Sequence, residues 1–563
     1  MFFNLVMNVC DFIIDTLYNN GIDTYFVVTG GSIVPFIDAV SRNHGVKYFC
    51  FQHEQSAAMA AEGYFKSSGK VAAVCVTSGP GVQNILNGVC GCWYDSVPAF
   101  FITGQVNTSE DLSNLKSKPR QLGFQEMPVA KMFEDVTKKS VHVSIKDDIP
   151  NTLRHLLTEL KTPRYGPVLI DIPVNIQMST IEATSVHIPP RLEPLRTYDL
   201  TEYLKHSKRP LVIFGHGVKL SQSCEAALNF VETYNLPFVV SWGAVDISPT
   251  NHKLRVGCIG VYGERYANYT VQNADLLIII GNRLDSRQIG GNPKLFSPFS
   301  KKIMIDVDRN EIDKLDERGV VIDMKIVDDV SHFFRSVKIY TEPTWEQWLN
   351  TVNQWKDKYR VESKRLEDPI VYDFLNNYFS ELPEDCIVIT DIGSNMVWSM
   401  QCAQLTKTQK LFTNCGNASM GFALPAAIGA AIGTGEQIYC IAGDGGFQMN
   451  VQELATVKKY NLPINITILN NGGYGIVKQF QDSYFNSRHV ATSKGDVFGE
   501  KIDFVKIAEA YGVKTLRDIP IPETQKIYPK LEFGNSLENM TPYIDFEEDM
   551  IIPVPPKKSL GWN

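Results

Sequence analysis

Gly443-Asp444-Gly445, with Asn471 following 27 residues after the Asp, constrains the fold of this chain more than any other feature. The segment reads GDGGFQMNVQELATVKKYNLPINITILNN. Residues 437–442 (QIYCIA) form a short apolar run, which predicts a buried strand. An amphipathic helix is expected from Asn450, with Val451, Leu454 and Val457 on one face and Glu453 placed as in a capping box. Residues 464–469 (INITIL) supply the next strand. A helical crossover joins parallel strands and is right-handed. Asp444 and Asn471 therefore leave the sheet at the same edge, where open α/β sheets take ligands.

One carboxylate, one amide oxygen and a nearby backbone carbonyl suit a hard cation. Mg2+ takes oxygen ligands in octahedral geometry and is usually completed by phosphates and water. Gly445 and Gly446 let the backbone approach phosphates, and the helix N-terminus favours anions. A lone GDG would indicate only an ordinary glycine-rich turn. Joined to NN at this distance, it predicts a magnesium ion holding a diphosphate.

At 563 residues the chain should hold about three or four domains. Three blocks alternate strand and helix, at 1–177, 199–337 and 366–518, followed by a tail at 519–563. Strand-plus-turn signals in the first are TYFVVTGGS, KYFCF, KVAAVCVTSGPG, PAFFITGQV and GPVLIDIPV. The second carries PLVIFGHG, FVVSWGA, ADLLIIIGN and KIMIDVD, and the third CIVITDIGS, QIYCIAGDGG and INITILNN. The order predicts an α/β chain of three doubly wound domains. A net charge of −8 argues against nucleic acid as a partner. No run is long and apolar enough for a membrane span. The N-terminus lacks a basic region and reads as the first amphipathic helix rather than a signal peptide. The 11 cysteines are scattered, with only a CxC at Cys90 and Cys92, so reduced thiols in a cytoplasmic protein are expected.

FQHEQSAAMAAEGYFKSSGK, VTSGPGVQN, VPAFFITGQV, LGFQEMP and SMGFALPAAIGAA, together with GDG…NN, resemble the acetolactate synthase-like branch of the thiamine-diphosphate (ThDP) enzymes over nearly the full length. The resemblance implies a pyrimidine-binding domain, a central Rossmann-like domain and a diphosphate-binding domain. It implies a homodimer or homotetramer, with cofactor between the first domain of one subunit and the third of another. Glu54 then matches the acid that hydrogen-bonds N1′ of the aminopyrimidine, and an apolar pocket would raise its pKa. Asp444, Asn471 and the Gly473 carbonyl match the metal ligands. Gly31, Pro80, Asn84, Gly393, Ser394, Asn395, Met420, Gly443, Gly445 and Gly446 match cofactor-binding positions, Met420 as the bulky prop that bends the cofactor. Ser32, Phe124, Gln125, Lys138, Arg287 and Phe480 match substrate positions; an arginine suits carboxylate recognition. Gly215, Gly217, Gly281, Arg283 and Asp306 match segments that hold FAD. Glu62, on the helix of Glu54, is expected to face solvent.

The sequence also departs from that family. Ser394-Asn395 stands where Gln-His is usual, and QFQ, with Phe480, replaces QWQ. After Asp518 the prolines of IPIPE leave no room for the final helix of the third domain. The tail resembles relatives associated with surface-polysaccharide and nucleotide-sugar pathways. The implied activity is Mg2+-dependent decarboxylation of a 2-keto acid, pyruvate first, with transfer of the two-carbon unit to an acceptor. The alternatives are a nucleotide-activated keto sugar as acceptor, simple decarboxylation, or a catalytically impaired ThDP-binding protein.

Overall fold

The computed structural model describes residues 5–514, apart from 113, 114, 118, 184, 185, 190–195, 342, 343, 360–369, 500 and 501, together with the strands Pro542–Asp545 and Met550–Pro553. It contains three parallel sheets flanked by helices. In the first, the spatial order is Lys47–Cys50, Thr24–Val27, Ala73–Val76, Phe100–Gln105, Val168–Pro173, Lys139–His142. In the second it is Arg255–Cys258, Phe238–Val240, Pro210–Phe214, Leu276–Ile280, Lys301–Asp306, Met324–Val327. The third has four described strands, Lys410–Phe412, Ile387–Thr390, Ile438–Gly443 and Ile464–Leu469.

The central strands are apolar without alternation, as expected where helices cover both faces. Leu276–Ile280 is LLIII and fully buried. Each sheet has a point from which successive strands are added in opposite directions, and at that switch point the loops on either side diverge and leave a crevice. The switch lies between Thr24–Val27 and Ala73–Val76, between Pro210–Phe214 and Leu276–Ile280, and between Ile387–Thr390 and Ile438–Gly443. Every group of candidate residues described below gathers at one of these three places.

Four strands of the three parallel sheets are not evident in the sequence: Lys139–His142, Arg255–Cys258, Met324–Val327 and Lys410–Phe412. All are edge strands of three or four residues, too short to show a period. The N-terminal segment is strand before helix. Leu5–Asn8 pairs with Thr180–Ala183, and Asn8 caps the helix Val9–Asn19. The crossover helix also differs from expectation. It starts at Asp444, breaks at Asn450 and resumes as Leu454–Tyr460. Asn450 leaves helical geometry because its amide donates to the Gly421 carbonyl (2.7 Å). Glu453 does not cap; its carboxylate accepts the Gln52 and His53 amides of the first domain. Ile464–Leu469 ends the third sheet among the described residues, half-buried along most of its length. The missing helix–strand unit and most of the tail fall on residues outside those described; of the tail, the two strands pair antiparallel.

The first and third domains pack through the helices Glu54–Ser68 and Ala423–Thr434. Their backbones touch where Gly63 meets Ala426 and Gly429 meets Ala60: a Cβ on either glycine would fall 2.2 Å or less from a carbonyl oxygen.

Candidate active site

The third-domain switch point collects the GDG and NN residues. Asp444 opens its helix and is buried. Its Oδ2 accepts the amides of Gly472 (2.6 Å) and Gly473 (3.0 Å), and its Oδ1 that of Gly445 (2.9 Å). Burial still lifts its carboxyl to about 6, against the pull of those amides. The Asn471 amide oxygen stands 3.2 Å from Asp444 Oδ1 and 2.9 Å from the Gly473 carbonyl oxygen. Hydrogen-bond economy alone would turn that amide over, so that it donates to both. In the observed orientation three oxygens face one another with no proton between them. Adjacent ligands of an octahedral Mg2+ with bonds near 2.0–2.1 Å lie about 2.9 Å apart. The two separations from the Asn471 oxygen, 3.2 and 2.9 Å, are close to that edge length. No cluster of three His, Cys, Asp or Glu side chains with metal-binding geometry occurs among the described residues. This donor set has one carboxylate and two neutral oxygens, and needs phosphate to complete it.

The flanking glycines are closely surrounded. A Cβ on Gly445 would meet the Tyr474 ring at 2.5 Å and the Met420 methyl at 3.2 Å; one on Gly446 would meet Asp391 Oδ1 at 2.4 Å. Only glycine fits either place. Gly443 lies by Asn395, whose Nδ2 donates to the Ile392 carbonyl (2.9 Å) and whose buried Oδ1 has no partner. Gly393 and Ser394 begin the helix Ser394–Cys402, and a Cβ on Gly475 would lie 3.0 Å from Ser394 Oγ.

The first-domain switch point collects a second group. Ser32 Oγ bonds Thr77 Oγ1 (2.9 Å) and accepts the Ser78 amide (2.8 Å), tying the two loops that carry Gly31 and Pro80. Glu54 opens the helix Glu54–Ser68, and Asn84 Nδ2 donates to its Oε2 (2.9 Å). A Cβ on Gly79 would sit 2.9 Å from Gln125. The segment bearing Gln125 is held by Gln105 Nε2, which donates to the Met127 carbonyl (3.0 Å), and by Glu126, whose Oε2 accepts the Gly123 amide (3.1 Å). Glu54 is half-buried, Asn84 and Pro80 are exposed, and Phe124 is 85% exposed. One chain therefore does not form the enclosing apolar pocket expected around Glu54.

The central switch point opens on a partly open cavity. Gly217, Gly281, Arg283, Arg287 and Asp306 line it, and it reaches Gly393 and Ile476 of the third domain. Gly215 sits behind it, its would-be Cβ 2.2 Å from the Gly281 carbonyl. Asp306 is raised to about 6 by burial. Burial, with Lys219 and Lys66 nearby, lowers His216 to about 4 and keeps its ring neutral. Its Nδ1 then donates to the Gly243 carbonyl (2.9 Å). His216 Nε2, Asn282 Nδ2 and Gln288 Oε1, all on cavity-lining residues, are buried without partners. Such atoms are rare in a finished interior and indicate a polar occupant.

The chain matches three successive domain models: the thiamine pyrophosphate enzyme N-terminal TPP-binding domain over 7–132, the central domain over 198–337, and the C-terminal TPP-binding domain over 391–532. It is 31% identical to the acetolactate synthase large subunit of Lactococcus lactis, covering 97% of this chain and 92% of that protein. It is 31% identical to the acetolactate synthase isozyme 2 large subunit of Escherichia coli, covering 90% of each. A probable acetolactate synthase large subunit of Methanocaldococcus jannaschii is 32% identical over 91% of this chain and 88% of its own. The chain belongs to the ThDP-dependent enzymes, acetolactate synthase-like branch.

Within this ThDP enzyme some matched residues lie away from the groups above. Lys138 is one. It precedes the edge strand Lys139–His142, which starts level with Val168, and its ammonium bonds the carbonyls of Glu159 and Thr162 (both 2.6 Å). That is the N-terminal edge of a parallel sheet, opposite Ser32 and Asn84. Lys138 closes the end of the helix Ile149–Lys161 instead of a substrate pocket. Arg287 belongs to the central cavity, its guanidinium 5.9 Å from the Tyr262 ring centre. Phe480 is 39% exposed and packs on Tyr484 and Phe485. Glu62 is wholly buried, not solvent-facing, because the helix of Glu54 is covered on this side by the third domain. Sequence spacing alone could not show it: two turns from Glu54, it reads as one more polar position on an alanine-rich helix.

Proposed function

We propose that this enzyme is a ThDP- and Mg2+-dependent carboligase. It decarboxylates a 2-keto acid, with pyruvate the first candidate, and transfers the two-carbon unit to an acceptor. The observation that carries the metal reading is the convergence of Asp444 Oδ1, Asn471 Oδ1 and the Gly473 carbonyl at 2.9–3.2 Å. These groups would hold Mg2+, and the glycine turns at 393 and 443–446 would admit the diphosphate. Bound there, ThDP supplies a carbon nucleophile and an electron sink for decarboxylation. The chain's own part is to orient it and to manage one proton. Asn84 fixes Oε2 of Glu54, which leaves Oε1 to hold or release a proton at the aminopyrimidine N1′.

The exposed edge at Pro80, Asn84 and Phe124 supports a shared site, closed by the third domain of a second subunit. Purified protein should accordingly run as a dimer or larger. The central cavity supports FAD: its unpartnered polar atoms suit a flavin dinucleotide, and Asp306 ends a strand where a ribose hydroxyl would be met. FAD added in excess should remain after desalting and colour the protein yellow; a colourless product removes the flavin.

The deciding experiment incubates the purified enzyme with ThDP, Mg2+ and pyruvate and identifies the products, with and without added nucleotide-linked keto sugars. Acetolactate from pyruvate alone is the expected result. Pyruvate consumed only with a sugar present would move the acceptor to that class. No consumption by protein that has bound stoichiometric ThDP would overturn the carboligase reading.

A further inference from the structure

The turn at residues 413–420 ends on Met420, and almost every tie that holds it comes from the first domain. Asp95 accepts the Cys415 amide (2.9 Å) on Oδ2 and the Gly416 amide (2.7 Å) on Oδ1. Asn414 donates to Glu62 Oε2 (2.8 Å) and accepts the Ala418 amide (2.8 Å). Asn417 and Ser419 both bond Asn87 Oδ1 (2.8 and 2.6 Å), and Asn87 in turn donates to Gln55, the neighbour of Glu54. At the centre stands Lys66. Its ammonium donates to Glu62 Oε1 (2.6 Å), Asp95 Oδ2 (2.6 Å) and the Thr413 carbonyl (2.8 Å). It also lies 6.0 Å from the ring centre of Phe412 and 5.7 Å from that of Phe422, the residues on either side of the turn.

The three ionisable side chains are 0–5% exposed. Two carboxylates are too costly to bury without a cation. The turn cannot replace these ties by packing, because Thr413, Asn414, Cys415 and Ala418 face the central cavity on one side. The first half of the turn, residues 413–416, therefore depends on the charge that Lys66 shares with Glu62 and Asp95.

We propose that Lys66, with Glu62 and Asp95, is a positioning residue for the cofactor: the three hold residues 413–416, the start of the turn that presents Met420, and so couple the first-domain helix of Glu54 to cofactor binding in the third domain. This rests on the reading that Met420 abuts the cofactor.

The test uses the full-length enzyme as Lys66→Met, Lys66→Arg, Asp95→Asn and Met420→Ala. ThDP is titrated at fixed Mg2+ and followed by near-ultraviolet circular dichroism. Amide exchange is read at residues 415–418. Lys66→Met should weaken ThDP binding on the order of 100-fold and speed exchange in the turn by a similar factor, the scale set by uncompensated buried carboxylates. Exchange in the strand Leu276–Ile280 should not change. Lys66→Arg, which keeps the charge and the donors, should recover most of both. Should Lys66→Met fail to fold, Asp95→Asn carries the test. It keeps one acceptor and should show the same paired change at smaller size. A turn that stays protected, a turn that loosens without loss of ThDP affinity, or an arginine variant as poor as methionine would each overturn the clamp. ThDP affinity unchanged in Met420→Ala would instead fail the reading of Met420, with the clamp still judged by exchange in the turn.

Discussion

Glu54→Gln should lower turnover by about 1,000-fold or more while ThDP and Mg2+ still bind, the range that loss of a positioned proton carrier commonly produces. The substitution is nearly isosteric. The Asn84 donor keeps an oxygen to bond, and the helix Glu54–Ser68 keeps its N-terminal residue, so the fold should be undisturbed. What is lost is the ability to hold a proton at Oε1 and give it back. Turnover and ThDP titration on the same preparation separate the two effects. A variant with near-normal rates would remove Glu54 from the mechanism. A variant that no longer binds ThDP would show a role in affinity instead.

Asp444→Asn should act at the other end of the cofactor and by a different route. Its two oxygens accept three backbone amides in the native protein, and the amide side chain would set an N–H donor against some of them. An unmet buried donor or acceptor costs about 1–3 kcal/mol, so a small fall in melting temperature is expected. The larger effect is the loss of the one negative ligand in a set otherwise made of an amide and a carbonyl. Mg2+-dependent ThDP binding should fall on the order of 100-fold, with single-turnover chemistry recovered in part at high Mg2+. Second-sphere changes around metals already cost about 10–100-fold, and this residue stands closer than that. Unchanged Mg2+ dependence in the titration would place the metal elsewhere. Because the proposed site sets Asp444 and Glu54 at opposite ends of one cofactor, the two variants should differ in kind: one binds and does not turn over, the other binds weakly.

GDG and NN were legible because a right-handed crossover leaves parallel strands little choice about which edge their ends share, and the sheet order confirms it. The long apolar strands were legible for the same kind of reason: LLIII between helices has one reasonable use. The short edge strands, such as Lys410–Phe412, were not, because three residues carry no period and their pairing is decided by the neighbour they meet. Asn450 and Glu453 looked like the start of a helix and a local cap; tertiary partners at Gly421, Gln52 and His53 took their side chains instead. Lys138 sat in a matching stretch, yet the direction of its strand put it on the far edge of the sheet.

By itself the sequence determined the class of fold, three doubly wound units, and that Asp444 and Asn471 leave the third sheet at one edge, because these follow from strand direction and apolar runs over short spans. The tertiary structure alone decided that Glu62 is buried beside Lys66 and Asp95, that the turn bearing Met420 hangs from the first domain, and that the central cavity runs through to Gly393. The ties that bury Glu62 and hold the turn join residues more than 300 positions apart, and no local pattern encodes which buried charge will meet which loop.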